Sequence, residues 1–206
     1  MSTVIDAIKN RRSIRKYSSQ AIPKEILYDI FDAARWAASP HNAQPWRFIV
    51  LTEPSLKKGL AEAMAKAWMN ELTKDNVPVD LRGKLIEASI ERFSHAPVIV
   101  VACITMVDMI EYADEPKQKS ERDLAIQSLG AAVQNMLLAA QSKSLGSCWF
   151  SAPAFCQALV RKVLRIPRDF EPQALITVGY PAENPVAPMR KPIGDIFYSG
   201  RWGNKL

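Results

Sequence analysis

The chain has 206 residues, 48% hydrophobic and 23% charged, the length and composition of a single globular domain over residues 1–206 with an ample core. Lys and Arg outnumber Asp and Glu by 27 to 21, a net charge of +6, which favours anionic ligands but is too small and dispersed for a nucleic-acid partner. No apolar leader follows Met1, and the longest apolar run, Ala96 to Ile104, is far too short to cross a bilayer, so a cytoplasmic protein without a membrane partner is expected.

Ser2-Thr3 ahead of Asp6 reads as a helix start, with Val4, Ile5 and Ile8 on one face and an end near Asn10. Pro23 suits the first position of a second helix, along which Ile26, Leu27, Ile30, Phe31 and Ala34 recur at helical spacing. Pro40 and Pro45 impose an extended loop, and 47–52 is rich in strand formers. Pro54 opens a helix whose apolar face includes Leu56, Leu60, Met64 and Trp68, and another helix is expected over 80–93. The β-branched run 97–104 reads as a buried strand. Residues 105–122 are charged and weakly patterned, either a lid over a site or an ordinary solvated connection. From Asp123 to Leu145 apolar residues cover more than half of a helix, which is therefore buried either in a core or against a partner, and which Gly146 would cap. A short apolar stretch, 147–150, precedes a helix starting near Pro153, and 173–179 reads as a strand. Beyond Pro181 no helical period remains, so this tail must find its packing elsewhere.

The three cysteines, Cys103, Cys148 and Cys156, are odd in number and apolar in setting, which suits buried reduced thiols. His41 and His95 share no ligand spacing, so no metal site is expected. No nucleophile elbow, zinc-protease helix, phosphate loop or dinucleotide fingerprint is present, and no catalytic side chain is assigned. Three arginines and a serine lie within Arg11-Arg12-Ser13-Ile14-Arg15. Guanidinium forks and a hydroxyl suit a phosphate, and the distant pair Arg190-Lys191 could complete the same anion site after folding. The amides and flat ring of Asn42-Ala43-Gln44-Pro45-Trp46 suit a heterocycle, although Trp46 itself reads as core.

In order and spacing, R-R-S-x-R at 11–15, S-x-x-N-x-Q-P-W-x-F at 39–48 and R-K-P at 190–192 resemble the nitroreductase family of FMN-dependent oxidoreductases. The resemblance implies an α+β fold, a mainly antiparallel central sheet flanked by helices, with an extended C-terminal tail wrapping a homodimer partner. It implies FMN at the subunit interface, its phosphate and ribityl chain held by Arg11, Arg12, Ser13 and Arg15 and closed off by Arg190 and Lys191. Ser39, Pro40, His41, Asn42 and Gln44 would reach the flavin of the opposite subunit, with His41 beside the substrate. Where better-known members carry Pro-Glu-Gly, this chain has Ser147-Cys148-Trp149-Phe150-Ser151, so a backbone N–H of Trp149 or Phe150 would meet the flavin's redox nitrogen. The residue at the flavin's pyrimidine edge is not recognisable over 66–76, where Asn70 is the one candidate. The implied activity is ping-pong hydride transfer from NADH or NADPH through FMN to a small-molecule acceptor such as a nitroaromatic or quinone. A flavoprotein of cofactor metabolism in the same fold, deazaflavin-ligase-associated or flavin-fragmenting, and a non-catalytic FMN carrier remain the alternatives.

Overall fold

A computed structural model describes residues 3–206; Ser2, half of the expected helix start, lies outside them. Thr3 and Asp6 exchange side-chain and backbone hydrogen bonds as a capping box for helix α1 (Val4–Asn10). Val4, Ile5 and Ile8 of α1 stay exposed, and Ala7 is its buried residue. Helix α2 (Lys24–Arg35) follows with Pro23 at its N-cap, then β1 (Trp46–Leu51), α3 (Pro54–Lys74), α4 (Val79–His95) and β2 (Val98–Thr105). Next come α5 (Glu115–Ser142), β3 (Gly146–Phe150), α6 (Ala152–Phe155), α7 (Gln157–Leu164) and β4 (Phe170–Gly179). On α3, Leu60, Met64 and Leu72 are buried, but Leu56 and Trp68 are substantially exposed.

The four strands form one antiparallel sheet in the order β1-β2-β4-β3. Central β2 is buried at all eight positions because helices cover both faces, which is why its residues read as a continuous apolar run rather than an alternation. On one face Val98, Val100 and Ala102 join Leu129, Val133, Met136 and Leu137 of α5 and Ile30 of α2. On the other, Ile99, Val101 and Cys103 pack with Leu60 and Met64 of α3, Phe93 of α4 and Val160 of α7. Burying each of the Val, Leu, Ile, Met and Phe side chains contributes about 1.5–3 kcal/mol. Burial pushes the Cys103 thiol up to about 12.

Three boundaries differ from the sequence reading, each for a physical reason. Helix α5 begins eight residues before Asp123, because the Asp114 carboxylate caps the Lys117 N–H and Pro116 sits in the first turn. The remaining loop is tied down: Glu121 accepts from the Ile110 N–H, Gln118 from the Tyr112 N–H, and Arg47 pairs with Asp108. It is an ordered connection. Strand β4 begins at Phe170, three residues early, because Pro172 falls at the register shift between Ala102 and Cys103, where a missing N–H disturbs the ladder least. Gly146 does not cap α5, which ends at Ser142; it opens β3.

Buried Lys57 reaches from α3 to the end of α4. Its Nζ donates to the Ala96 carbonyl at 2.6 Å and the Pro97 carbonyl at 3.1 Å, while burial lowers its pKa. This ties down the end of the helix that carries Arg92 and His95.

Candidate cofactor site

The chain leaves α1 at Arg11 and runs along the free edge of the sheet as a strap. Ser13 bridges Ser147 in parallel, and the Ile14 N–H donates to the Ser147 carbonyl at 3.0 Å. The fit depends on glycine: a Cβ on Gly146 would lie 2.7–2.8 Å from three atoms at the root of the buried Ile14 side chain. Tyr17 locks the far side. Its hydroxyl donates to the Ile14 carbonyl at 2.5 Å and meets the Thr177 hydroxyl at 2.6 Å, and burial raises its pKa.

The strap, α4 and Glu183 enclose a cavity of about 380 Å³ lined by Arg15, Lys16, Tyr17, Glu91, Arg92 and His95, among others. Burial pushes the Cys148 thiol up, while Arg15, the Ser13 hydroxyl, Arg92 and Arg11 pull it the other way. Arg15 and Arg92, from segments far apart in sequence, thus face one cavity. The Arg92 guanidinium also lies 5.7 Å over the Phe150 ring, which packs edge-on against Phe93 at 5.0 Å. Arg12 turns away: its guanidinium donates to the Lys9 and Arg11 carbonyls, covering the C-terminal end of α1.

Register along β3 separates Trp149 from Phe150. Ser147 spends its carbonyl on the strap, so its backbone polar groups face the open edge, and those of Trp149, two residues on, face the same way. Phe150 turns its own toward β4. The exposed Trp149 indole lies over α5, its Cη2 3.8 Å from the Cβ position of Gly130.

The Ser39–Gln44 turn is strained. His41, Asn42 and Gln44 have φ of 53°, 54° and 48°, a left-handed conformation costly for side chains other than glycine. The Ser39 hydroxyl holds it by accepting from the Gln44 N–H at 3.0 Å. His41, Asn42 and Gln44 project to solvent while Trp46 anchors the turn in the core.

Within one chain the strap therefore lays Arg11, Ser13 and Arg15 along the edge strand that carries Trp149 and Phe150. Among the described residues no hydrogen bond or ion pair joins this group to the 39–44 turn or to Arg190 and Lys191, which are exposed on the tail. Arg92 is the residue the sequence did not reveal. It sits in a charged helical stretch that resembles a solvated face, and the fold alone carries it to Arg15; Asn70 is exposed on α3.

Fold and site define an α+β protein with a cationic cavity at the free edge of an antiparallel sheet. The profile of the nitroreductase family matches residues 8–180, and the chain belongs to that family. A relative in Methanothermobacter thermautotrophicus, named as a candidate NADH dehydrogenase/NAD(P)H nitroreductase, is 31% identical over 88% of this chain and 79% of its own. A BluB-like flavoprotein from Clostridium difficile superposes with a TM-score of 0.80 at 26% identity, covering 98% of this chain and all of the other. A candidate nitroreductase from Desulfovibrio desulfuricans, solved in complex with FMN, matches with a TM-score of 0.69 at 27% identity, covering 98% and 99%.

Proposed function

We infer that the protein is an FMN-dependent oxidoreductase that passes hydride from NADH or NADPH through FMN to an electron-poor acceptor such as a nitroaromatic or quinone, in a ping-pong cycle. The observation that carries this reading is the convergence of Arg15 and Arg92 on one cavity, beside a strap that lays Arg11 and Ser13 along the open N–H edge of β3. Cationic forks suit the phosphate and the electron-rich carbonyl edge of a flavin, and an unpaired strand N–H suits its redox nitrogen. When bound, FMN supplies the hydride chemistry, consistent with a chain that offers no protein nucleophile. The chain's own part is to bind and orient.

In this reading Arg11, Ser13 and Arg15 hold the phosphate and ribityl chain, and Arg190 and Lys191 close the phosphate end. Arg92 takes the pyrimidine edge, in place of Asn70, and the Trp149 N–H meets the redox nitrogen. Arg12 supports the strap through the end of α1. Ser39, Pro40, His41, Asn42 and Gln44 serve the partner's flavin in a homodimer. The exposed apolar residues of α1 and of the tail, Met189 and Trp202 among them, support that assembly, because monomers seldom leave such surfaces open. Helix α5 needs no partner to cover it, since its apolar surface fills this chain's own core.

Steady NADH or NADPH consumption with a quinone or nitroaromatic tests the assignment. The full-length match to the BluB-like flavoprotein keeps a role in cofactor metabolism as the second reading. Oxygen-dependent loss of the flavin itself, without steady turnover of an added acceptor, would favour that branch.

A further inference from the structure

The root of the C-terminal arm is fastened to the strap through one carboxylate. Residues 15–18 and 180–183 run antiparallel: the Ser18 N–H donates to the Tyr180 carbonyl at 2.9 Å, the Ala182 N–H to the Lys16 carbonyl at 3.0 Å, and Tyr17 bridges Pro181. The ladder then gives way to a side chain. Glu183 Oε1 accepts from the Arg15 N–H at 2.5 Å and from the Lys16 N–H at 3.1 Å. Two successive N–H groups on one anionic oxygen form a charge-assisted nest, stronger than the neutral bonds beside it.

Two further observations give this bond a role beyond closing a loop. Glu183 lines the same cavity as Arg15 and Arg92, yet among the described residues it forms no ion pair with either. Its charge is spent on the backbone of the strap, and among the described residues the Arg15 guanidinium is left with only a long 3.4 Å contact to the Ser13 carbonyl. Glu183 also precedes the exposed segment that carries Arg190 and Lys191, so it fixes the point from which that segment departs.

Resting on the FMN reading for its ligand, we propose that Glu183 is a positioning residue that couples the C-terminal arm to the cofactor strap. By holding the backbone at 15 and 16 it sets the aim of Arg15 into the cavity, and by holding 182 and 183 it seats the arm. Linkage makes the coupling reciprocal: the factor by which a seated arm tightens FMN is the factor by which FMN secures the arm.

The test compares wild type, Glu183→Ala and Glu183→Gln by FMN titration and by hydrogen exchange at the Arg15, Lys16 and Ala182 amides. Losing a charge-assisted pair should weaken FMN about tenfold or more in Glu183→Ala, with a smaller loss in Glu183→Gln, which keeps an acceptor oxygen. Exchange at Arg15 and Lys16 should accelerate in the FMN-free Glu183→Ala protein. Added FMN should slow exchange at Ala182 in wild type and much less in Glu183→Ala. An FMN affinity in Glu183→Ala within about twofold of wild type would overturn the coupling, as would unchanged exchange at Arg15 and Lys16. If wild type took up no FMN, the functional reading would fail by itself, and the exchange comparison would still decide whether Glu183 anchors the arm.

Discussion

Replacing Gly146 with alanine tests the packing that sets the strap. The new Cβ would meet Ile14 Cβ, Cγ1 and Cγ2 at 2.7–2.8 Å, about 1 Å inside the distance at which carbon atoms attract. These atoms are the branched root of the side chain, so no rotamer change relieves the contact. The strap must retreat by roughly 0.7 Å to reach ordinary contact, which stretches the 3.0 Å bond from the Ile14 N–H to the Ser147 carbonyl beyond useful length. Overpacking plus that bond amounts to about 1.5–4.5 kcal/mol, a fall in Tm of roughly 3–18 °C for a chain of this size. Gly146 is not among the residues of positive φ, so the effect is steric rather than conformational. Because the strap carries Arg11 and Arg15, FMN affinity should fall as well. The Gly146→Ala, Ile14→Ala pair should be less damaging than the sum of the single changes, since two of the three contacts leave with Ile14. A Gly146→Ala protein with wild-type Tm and wild-type FMN affinity would refute the reasoning.

Arg11→Ala, Arg92→Ala and Arg190→Ala should each weaken FMN by about 10- to 150-fold with little change in Tm; riboflavin binding as tightly as FMN would remove Arg11 and Arg190 from the phosphate. Deleting residues beyond Asn184 should cost both dimer stability and FMN occupancy, and light scattering that found a flavin-saturated monomer would speak against the shared site. Burial keeps the Tyr17 phenol protonated above its ordinary pKa of 10.0, so the folded state retains a proton that the unfolded state gives up. Its contribution is therefore intact below pH 10 and declines as pH rises beyond that value, by up to about 1.4 kcal/mol per pH unit. Urea midpoints on either side of pH 10 should show a shallower alkaline decline in Tyr17→Phe, and equal slopes would contradict this.

Strand β2 and the Thr3–Asp6 cap were legible because apolar runs and capping boxes are local signals. The start of α5 was not: its first turns are charged, and only the Asp114 cap and the position of Pro116 reveal that they continue a helix. Gly146 has the sequence context of a helix cap, and its true reason, the approach of Ile14, spans more than a hundred residues. The Arg11–Arg15 cluster stood out because its charges are adjacent in sequence. Arg92 and Glu183 did not, because each becomes part of the cavity only when α4 and the end of β4 meet the strap.

The central claim is that this chain holds a redox-active FMN. The most direct measurement adds FMN to the purified protein, follows saturation by flavin fluorescence, and then adds NADH or NADPH under nitrogen while recording the absorbance spectrum. Saturable FMN binding and bleaching of the flavin bands by at least one of the nucleotides are the expected results. A protein that takes up no FMN, or whose bound flavin neither nucleotide reduces, would contradict the account.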